Sequence, residues 1–400
     1  MLASLIPSVA LGIAFGTITG VIPGIHVNLV AAYLVAYQGL LSKLLTPLDI
    51  SCFIVAMAST HTFIDIIPSV FLGAPSSDLA VIALPAHKLV KQGRGYEAVI
   101  LATLGGLFSL LVLLLLSPLI LVSLKFLYKP RLIAYFLLIF VFFFVLHNRT
   151  LKKKILAMLI FIVSGSLGLL VLNSGLTKEP LMPLLTGFFG VSLLLRSILF
   201  KPRFITSAEA FLDLKKNEWL KCSMAACLAG VITGIMPGIG ASQAALIAKT
   251  MFRKLSELGY IVVSGGVNTI NFSVSLFTFY LLDKMRNGAV VALSKFVPEL
   301  NLGFFLLLIG TVILSSGIAA VSALVLGRIA SELVSKVNYQ LLCLVVLSFL
   351  MFITIAISGV NGLLVLFVAA CVGISTEMLG LPKGLCMGCI MLPVLFYYFI

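Results

Sequence analysis

The sequence predicts an all-α polytopic membrane protein of about 12–14 membrane segments, built as two inverted repeats with Pro-Gly-broken helices and a re-entrant segment. Three observations carry that expectation. The chain is 61% hydrophobic and 10% charged, and its mean hydropathy is +1.24. The stretch Gly16-Thr17-Ile18-Thr19-Gly20-Val21-Ile22-Pro23-Gly24-Ile25 returns as Gly230-Val231-Ile232-Thr233-Gly234-Ile235-Met236-Pro237-Gly238-Ile239, with seven positions identical. With 68–87 re-entrant, the first half crosses about seven times, and an odd number turns the second half over relative to the first.

Each copy of the repeat ends an apolar run at Pro-Gly, and a second apolar run follows. Proline removes a backbone donor and clashes with the preceding turn, and glycine accepts the torsions of a reversal. Lipid tolerates such a break only where protein or a water-filled cavity surrounds the freed backbone. Two breaks in corresponding places are the sequence mark of a midplane binding site.

Taken in order, residues 2–21 form a first span and 26–42 return. Residues 50–67 cross again and end at Pro68. The piece from Ser69 to His87 is too interrupted for an ordinary span and reads as re-entrant. Spans at 97–123, 132–147, 155–173 and 182–200 complete a first repeat, 1–200. Residues 201–221 are the linker, with an interfacial helix over Phe204–Leu220. The second repeat, 222–400, carries spans at 222–236, 239–251, 259–282, 303–327, 339–357, 361–379 and 385–399. No charged stretch precedes the first apolar run, so that run is expected to stay as a span.

The formal charge is +14, from 27 basic and 13 acidic residues. The basic residues gather between apolar runs, as the positive-inside rule requires, and place the N-terminus outside. No soluble module exists to hold nucleic acid. Seven cysteines lie scattered in apolar runs. Cys386-Met387-Gly388-Cys389 has redox-like spacing but reads as small, soft residues packing between helices.

Polar residues follow each break inside otherwise apolar runs: His26 and Asn28 in the first half, Ser242 and Gln243 in the second. The next span carries Thr60, His61, Thr62 and Asp65 in the first half, and Asn268, Thr269, Asn271 and Ser273 in the second. Thr62-Phe63-Ile64-Asp65 loosely matches Thr269-Ile270-Asn271. Each Ser, Thr or Asn alone reads as helix–helix hydrogen bonding; set beside breaks in both halves, together they read as a site. Asp65 is a carboxylate inside a span, with His61 one turn away. It either binds a coupling cation, carries a proton or pairs with His61 structurally. The segment Gly73-Ala74-Pro75-Ser76-Ser77 offers backbone N–H groups and hydroxyls to an anion, and Asp78 can cap the helix that follows.

The first Pro-Gly, the run Pro68-Ser69-Val70-Phe71-Leu72-Gly73-Ala74-Pro75-Ser76-Ser77-Asp78 and the run Leu84–Gly95 together resemble the large membrane subunit of the tripartite tricarboxylate transporters. The likeness covers most of residues 10–100 and the second Pro-Gly near 237. It implies a multi-span carboxylate importer of the cytoplasmic membrane that works with a small membrane subunit and an extracytoplasmic solute-binding protein. Departures from the family pattern are His26 after the first Pro-Gly-Ile, where the family has glycine, and Ala74 where it has threonine.

The expected function is a secondary transporter moving a small di- or tricarboxylate by alternating access, coupled to Na⁺ or H⁺. Gly20, Pro23, Gly24, Gly234, Pro237 and Gly238 make the breaks. Thr19, His26, Asn28, Gly73 to Ser77, Thr233, Gly240, Ser242, Asn268 and Asn271 face the substrate, and Thr62 with Asp65 holds the coupling ion. No cofactor is expected beyond Na⁺ as that ion, and the chain is expected to form a homodimer. The alternatives are a channel, since broken helices also line pores, and an intramembrane enzyme using His61 and Asp65. The sequence has no His-Glu-x-x-His and no Gly-x-Ser-x-Gly to favour the enzyme.

Overall fold

The computed structural model describes residues 2–22, 26–71, 79, 83–127, 135–136, 138–139, 141–142, 145, 150–200, 214–235, 241, 244–245, 248, 252, 255–336 and 338–399. Among them every regular element is helical. In the first half these are α1 (Leu2–Val21), α2 (Val27–Ala36), α3 (Gln38–Leu44), α4 (Pro47–Ile64), α5 (Ile66–Phe71), α6 (Ala83–Lys91), α7 (Gly95–Leu115), α8 (Ser117–Leu127) and α9 (Leu151–Asn173). Then come α10 (Leu181–Leu185), a π-helical turn (Thr186–Val191) and α11 (Ser192–Phe200). The second half has α12 (Lys216–Ile235), α13 (Glu257–Leu282), α14 (Gly288–Phe296), α15 (Leu302–Lys336), α16 (Tyr339–Ser358) and α17 (Val360–Met378). A 3₁₀ turn (Lys383–Met387) leads to α18 (Gly388–Phe399). Eight described helices are long and apolar enough to cross a membrane, and shorter apolar helices accompany them. The chain is an all-α polytopic membrane protein.

Two bundles form. The first gathers α1, α2, α4–α8 and α12–α15; the second gathers α9–α11 and α16–α18. At the centre of the first bundle lie α4, continued by α5, and α13. Each has 94% of its span buried, against 33% for α9, so they touch protein on every side. The outer faces of α1, α9 and α16 expose Ile6, Leu11, Ile155, Ile162, Leu341 and Val345, as lipid-facing helices do.

Small residues set the central packing. A Cβ on Gly16 would lie 2.4 Å from the Met57 carbonyl oxygen, and one on Gly20 would lie 2.7 Å from Ile64 Cβ. In the second half a Cβ on Gly230 would meet Ile270 at 2.3 Å, and one on Gly234 would meet Val274 at 2.6 Å. Thus α1 lies against α4, and α12 against α13, each pair parallel and close enough for backbone contact. On this register His61 is equivalent to Asn271 and Asp65 to Ser275. The loose match of Thr62–Asp65 with Thr269–Asn271 is therefore shifted by about one helical turn. The halves also interlock: α7 packs on α13 of the other half, and α15 packs on α4.

Several spans differ from the sequence reading. The return over 26–42 is split at Tyr37, where Gln38 and Gly39 interrupt the apolar run, and α3 has no buried residue. The span at 97–123 breaks at Leu116. Pro118 cannot donate to the Leu114 carbonyl, and the Ser117 hydroxyl donates to it instead at 2.7 Å. Residues 216–220 are the first turn of α12, not the end of a separate interfacial helix; 201–213 lie outside the described residues. The span at 303–327 extends to Lys336. At about 1.5 Å per residue, α15 exceeds a ~30 Å hydrocarbon core, and its last turns carry Arg328 paired with Glu332. Most of 239–251 lies outside the described residues.

Candidate functional site

The site grows from a break in α4. Pro68 has no N–H to give the Ile64 carbonyl, so the helix relaxes at Asp65 between α4 and α5. Ser69 closes part of the gap, its hydroxyl donating to the Asp65 carbonyl at 2.7 Å. The matching stretch of α13 has no proline and runs unbroken for 26 residues. Pro68→Ala restores the missing donor. Its expected result is a higher melting temperature in detergent with slower transport, and a variant that melts lower would show that the break carries no strain.

Around this break a buried polar layer forms. Asn268 of α13 donates its side-chain amide to the Thr62 carbonyl at 3.0 Å and to Asp65 Oδ1 at 3.2 Å. His61 Nε2 stands 3.8 Å from Asp65 Oδ2, beyond hydrogen-bond length. His61 Nδ1 lies 3.0 Å from the Thr19 hydroxyl of α1. The His26 ring meets the His61 ring edge to face, centroids 5.0 Å apart. His26 also caps α2, accepting the Asn28 N–H at 3.2 Å. Thr19, His61, Thr62, Asp65 and Asn268 are all buried, while His26 is half-buried. A carboxylate inside a membrane helix costs about 3 kcal/mol, and here an amide from the other half of the chain offsets part of that cost.

The structure thus brings Thr19, His26, Thr62, Asp65 and Asn268 together. Thr62 joins through its backbone carbonyl, since its hydroxyl donates to the Ser59 carbonyl at 2.8 Å. Gly20 and Gly234 are close-packing positions, where a Cβ would strike Ile64 and Val274. The Thr233 hydroxyl turns back on the Ala229 carbonyl at 2.9 Å. Asn271 is half-buried one turn beyond Asn268. Asn28 stands apart, exposed, with its side chain against Gly288 at the start of α14. Pro23, Gly24, Gly73, Ala74, Pro75, Ser76, Ser77, Pro237, Gly238, Gly240 and Ser242 lie outside the described residues. Ser59 and Thr60 add buried hydroxyls without hydrogen-bond partners beside His61. Among the described residues no His, Cys, Asp and Glu side chains gather as a metal site would need.

Sequence reasoning missed one ionic cluster, in the second bundle. Lys383 is buried, donates to the Ser192 hydroxyl at 2.9 Å and pairs with Glu377 at 3.2 Å; Arg196 pairs with the same carboxylate. A lone lysine between two apolar runs reads as a loop residue, and only the fold of α17 back onto α18 buries it. Cys386 and Cys389 are free and buried nearby, and a Cβ on Gly168 of α9 would strike the Cys389 carbonyl oxygen at 2.0 Å.

Fold and site together define a multi-pass helical membrane protein whose two halves meet at a buried polar layer beside a broken helix. The family model described as the tripartite tricarboxylate transporter TctA family matches residues 6–388. The chain belongs to that family, a family of transporters, and is a multi-pass protein of the cell membrane. It is 32% identical over 343 residues to an uncharacterized protein of Methanocaldococcus jannaschii, covering 84% of this chain and 83% of that one. No solved structure matches the chain.

Proposed function

We propose that this chain is the permease subunit of a carboxylate importer. It moves a di- or tricarboxylate across the membrane by alternating access, with Na⁺ or H⁺ as the coupling ion. A small membrane subunit and an extracytoplasmic solute-binding protein complete the system. The observation that carries the reading is the bond from Asn268 to Asp65, which joins the central helices of both halves at a carboxylate buried in the membrane. An intramembrane carboxylate tied to the other repeat is where ion binding can bias one arrangement of the helices over another. Support also comes from the duplicated Pro-Gly stretch, which ends α1 and α12 at equivalent places. Among the described residues the helices of each bundle pack chiefly on one another, which favours motion of one bundle against the other.

Uptake of labelled citrate and succinate into proteoliposomes holding the complete transporter tests the reading. Accumulation that rises with an imposed Na⁺ or pH gradient is the expected result. Flux of equal rate with and without either gradient would sink the coupled mechanism.

A further inference from the structure

The contacts of His61 suit one neutral tautomer. The Thr19 hydroxyl lies 3.2 Å from the Gly16 carbonyl and 3.0 Å from His61 Nδ1. A carbonyl only accepts; with the hydroxyl proton given to Gly16, the hydroxyl oxygen accepts from His61 Nδ1–H. A neutral imidazole with its proton on Nδ1 has a bare lone pair on Nε2. That Nε2 atom is buried and has no hydrogen-bond partner. It looks across 3.8 Å at Asp65 Oδ2. Two electron-rich atoms thus face one another, an arrangement that a proton on Nε2 turns into an ion pair. A hard metal cation is served less well, because such ions take oxygen ligands and one of the two facing atoms is an imidazole nitrogen.

His26 stands beside this position. Its Nδ1 accepts the Asn28 N–H, so its own exchangeable proton is on Nε2. It is half-buried where His61 is buried, and the rings are in contact. The other elements packed on α4 bring no competing charge among the described residues. α1 and α5 have no titratable side chain. α2 adds Tyr33, which is exposed. α13 carries Glu257 and Tyr260 in its first turn and Tyr280 in its last, with Asp283 as the cap beyond it, and α14 offers Lys295 in its last turn. α15 places Arg328, Glu332 and Lys336 in its C-terminal turns. On α4 itself Asp49 is tied into the N-terminal cap with Thr46, and Cys52 accepts from Thr311.

We infer that His61 binds the coupling proton, held over Asp65, so that this chain is driven by H⁺ and not by Na⁺. The proton binds His61 Nε2 and makes an imidazolium facing the Asp65 carboxylate. Release to the other side returns the neutral ring. This rests on the reading of the chain as a coupled carboxylate permease.

The test is nitrogen NMR of the purified full-length chain with labelled histidine side chains, titrated between about pH 5 and 8. The chain has four histidines, and His61→Gln assigns one of them. The expected result is an Nδ1–H neutral tautomer for His61 that converts to imidazolium, with Asp65→Asn weakening proton binding roughly tenfold. A His61 that stays neutral throughout, or holds its proton on Nε2, overturns the inference. A parallel uptake assay with citrate and succinate separates the two claims. If His61 titrates and neither acid moves, the proton site stands and the carboxylate reading falls. If uptake follows Na⁺ and is unchanged in His61→Gln, the proton site falls and the permease reading stands.

Discussion

Asp65→Asn lowers gradient-driven carboxylate uptake by the complete transporter roughly 100-fold, the rate equivalent of about 3 kcal/mol. The side chain keeps its shape, and its oxygen can still accept from Asn268, so the helices stay joined. What is lost is the negative charge that a coupling ion needs. The measurement is the initial uptake rate at fixed gradient, paired with exchange of unlabelled for labelled substrate when no gradient is applied. Uptake within threefold of wild type would remove Asp65 from the coupling step. Loss of both uptake and exchange with an unchanged melting temperature would move Asp65 into substrate binding.

The second large effect is on stability. A Cβ on Gly265 would lie 2.1 Å from the Ala102 carbonyl oxygen, and one on Gly105 would lie 2.2 Å from that of Val262. These contacts are with backbone, which cannot swing aside, and they fix the antiparallel crossing of α7 and α13. Gly265→Ala is expected to cost about 3 kcal/mol or more, because two helices must separate to admit one methyl group. Gly310→Ala on α15 is the control, since a Cβ there meets nothing within 4 Å. It is expected to leave the melting temperature unchanged or to raise it, alanine being the better helix former by up to ~1 kcal/mol. Equal melting of the two variants would show that the crossing yields.

The membrane class was legible because it depends on composition, and the duplicated Pro-Gly because proline and glycine act locally. Asp65 stood out as a carboxylate inside an apolar run. The partner of Asp65 did not, because Asn268 is more than two hundred positions away and the link depends on how α4 crosses α13. Asn28 shows the opposite failure. Its neighbourhood in sequence resembles that of His26, but the start of α2 turns it away to Gly288. The splits at Tyr37 and Leu116 were hidden because a hydropathy run is blind to a local change of direction. Lys383 was hidden because its burial is a property of two helix ends meeting and not of the residues beside it.

The interlocking of the halves sets the order in which this protein can be made. α4 emerges early in synthesis with Ser59, Thr60, His61 and Asp65 on a helix that has no face for lipid. Its covering helix, α15, begins only at Leu302. The ribosome thus delivers the most polar span long before the span that shields it. Until the second half of the chain arrives, those groups are sheltered by α1 and α2, by lipid headgroups or by the insertion machinery; Asn268 of α13 then reaches Asp65, and closure of the central bundle by α15 is a late event in biogenesis.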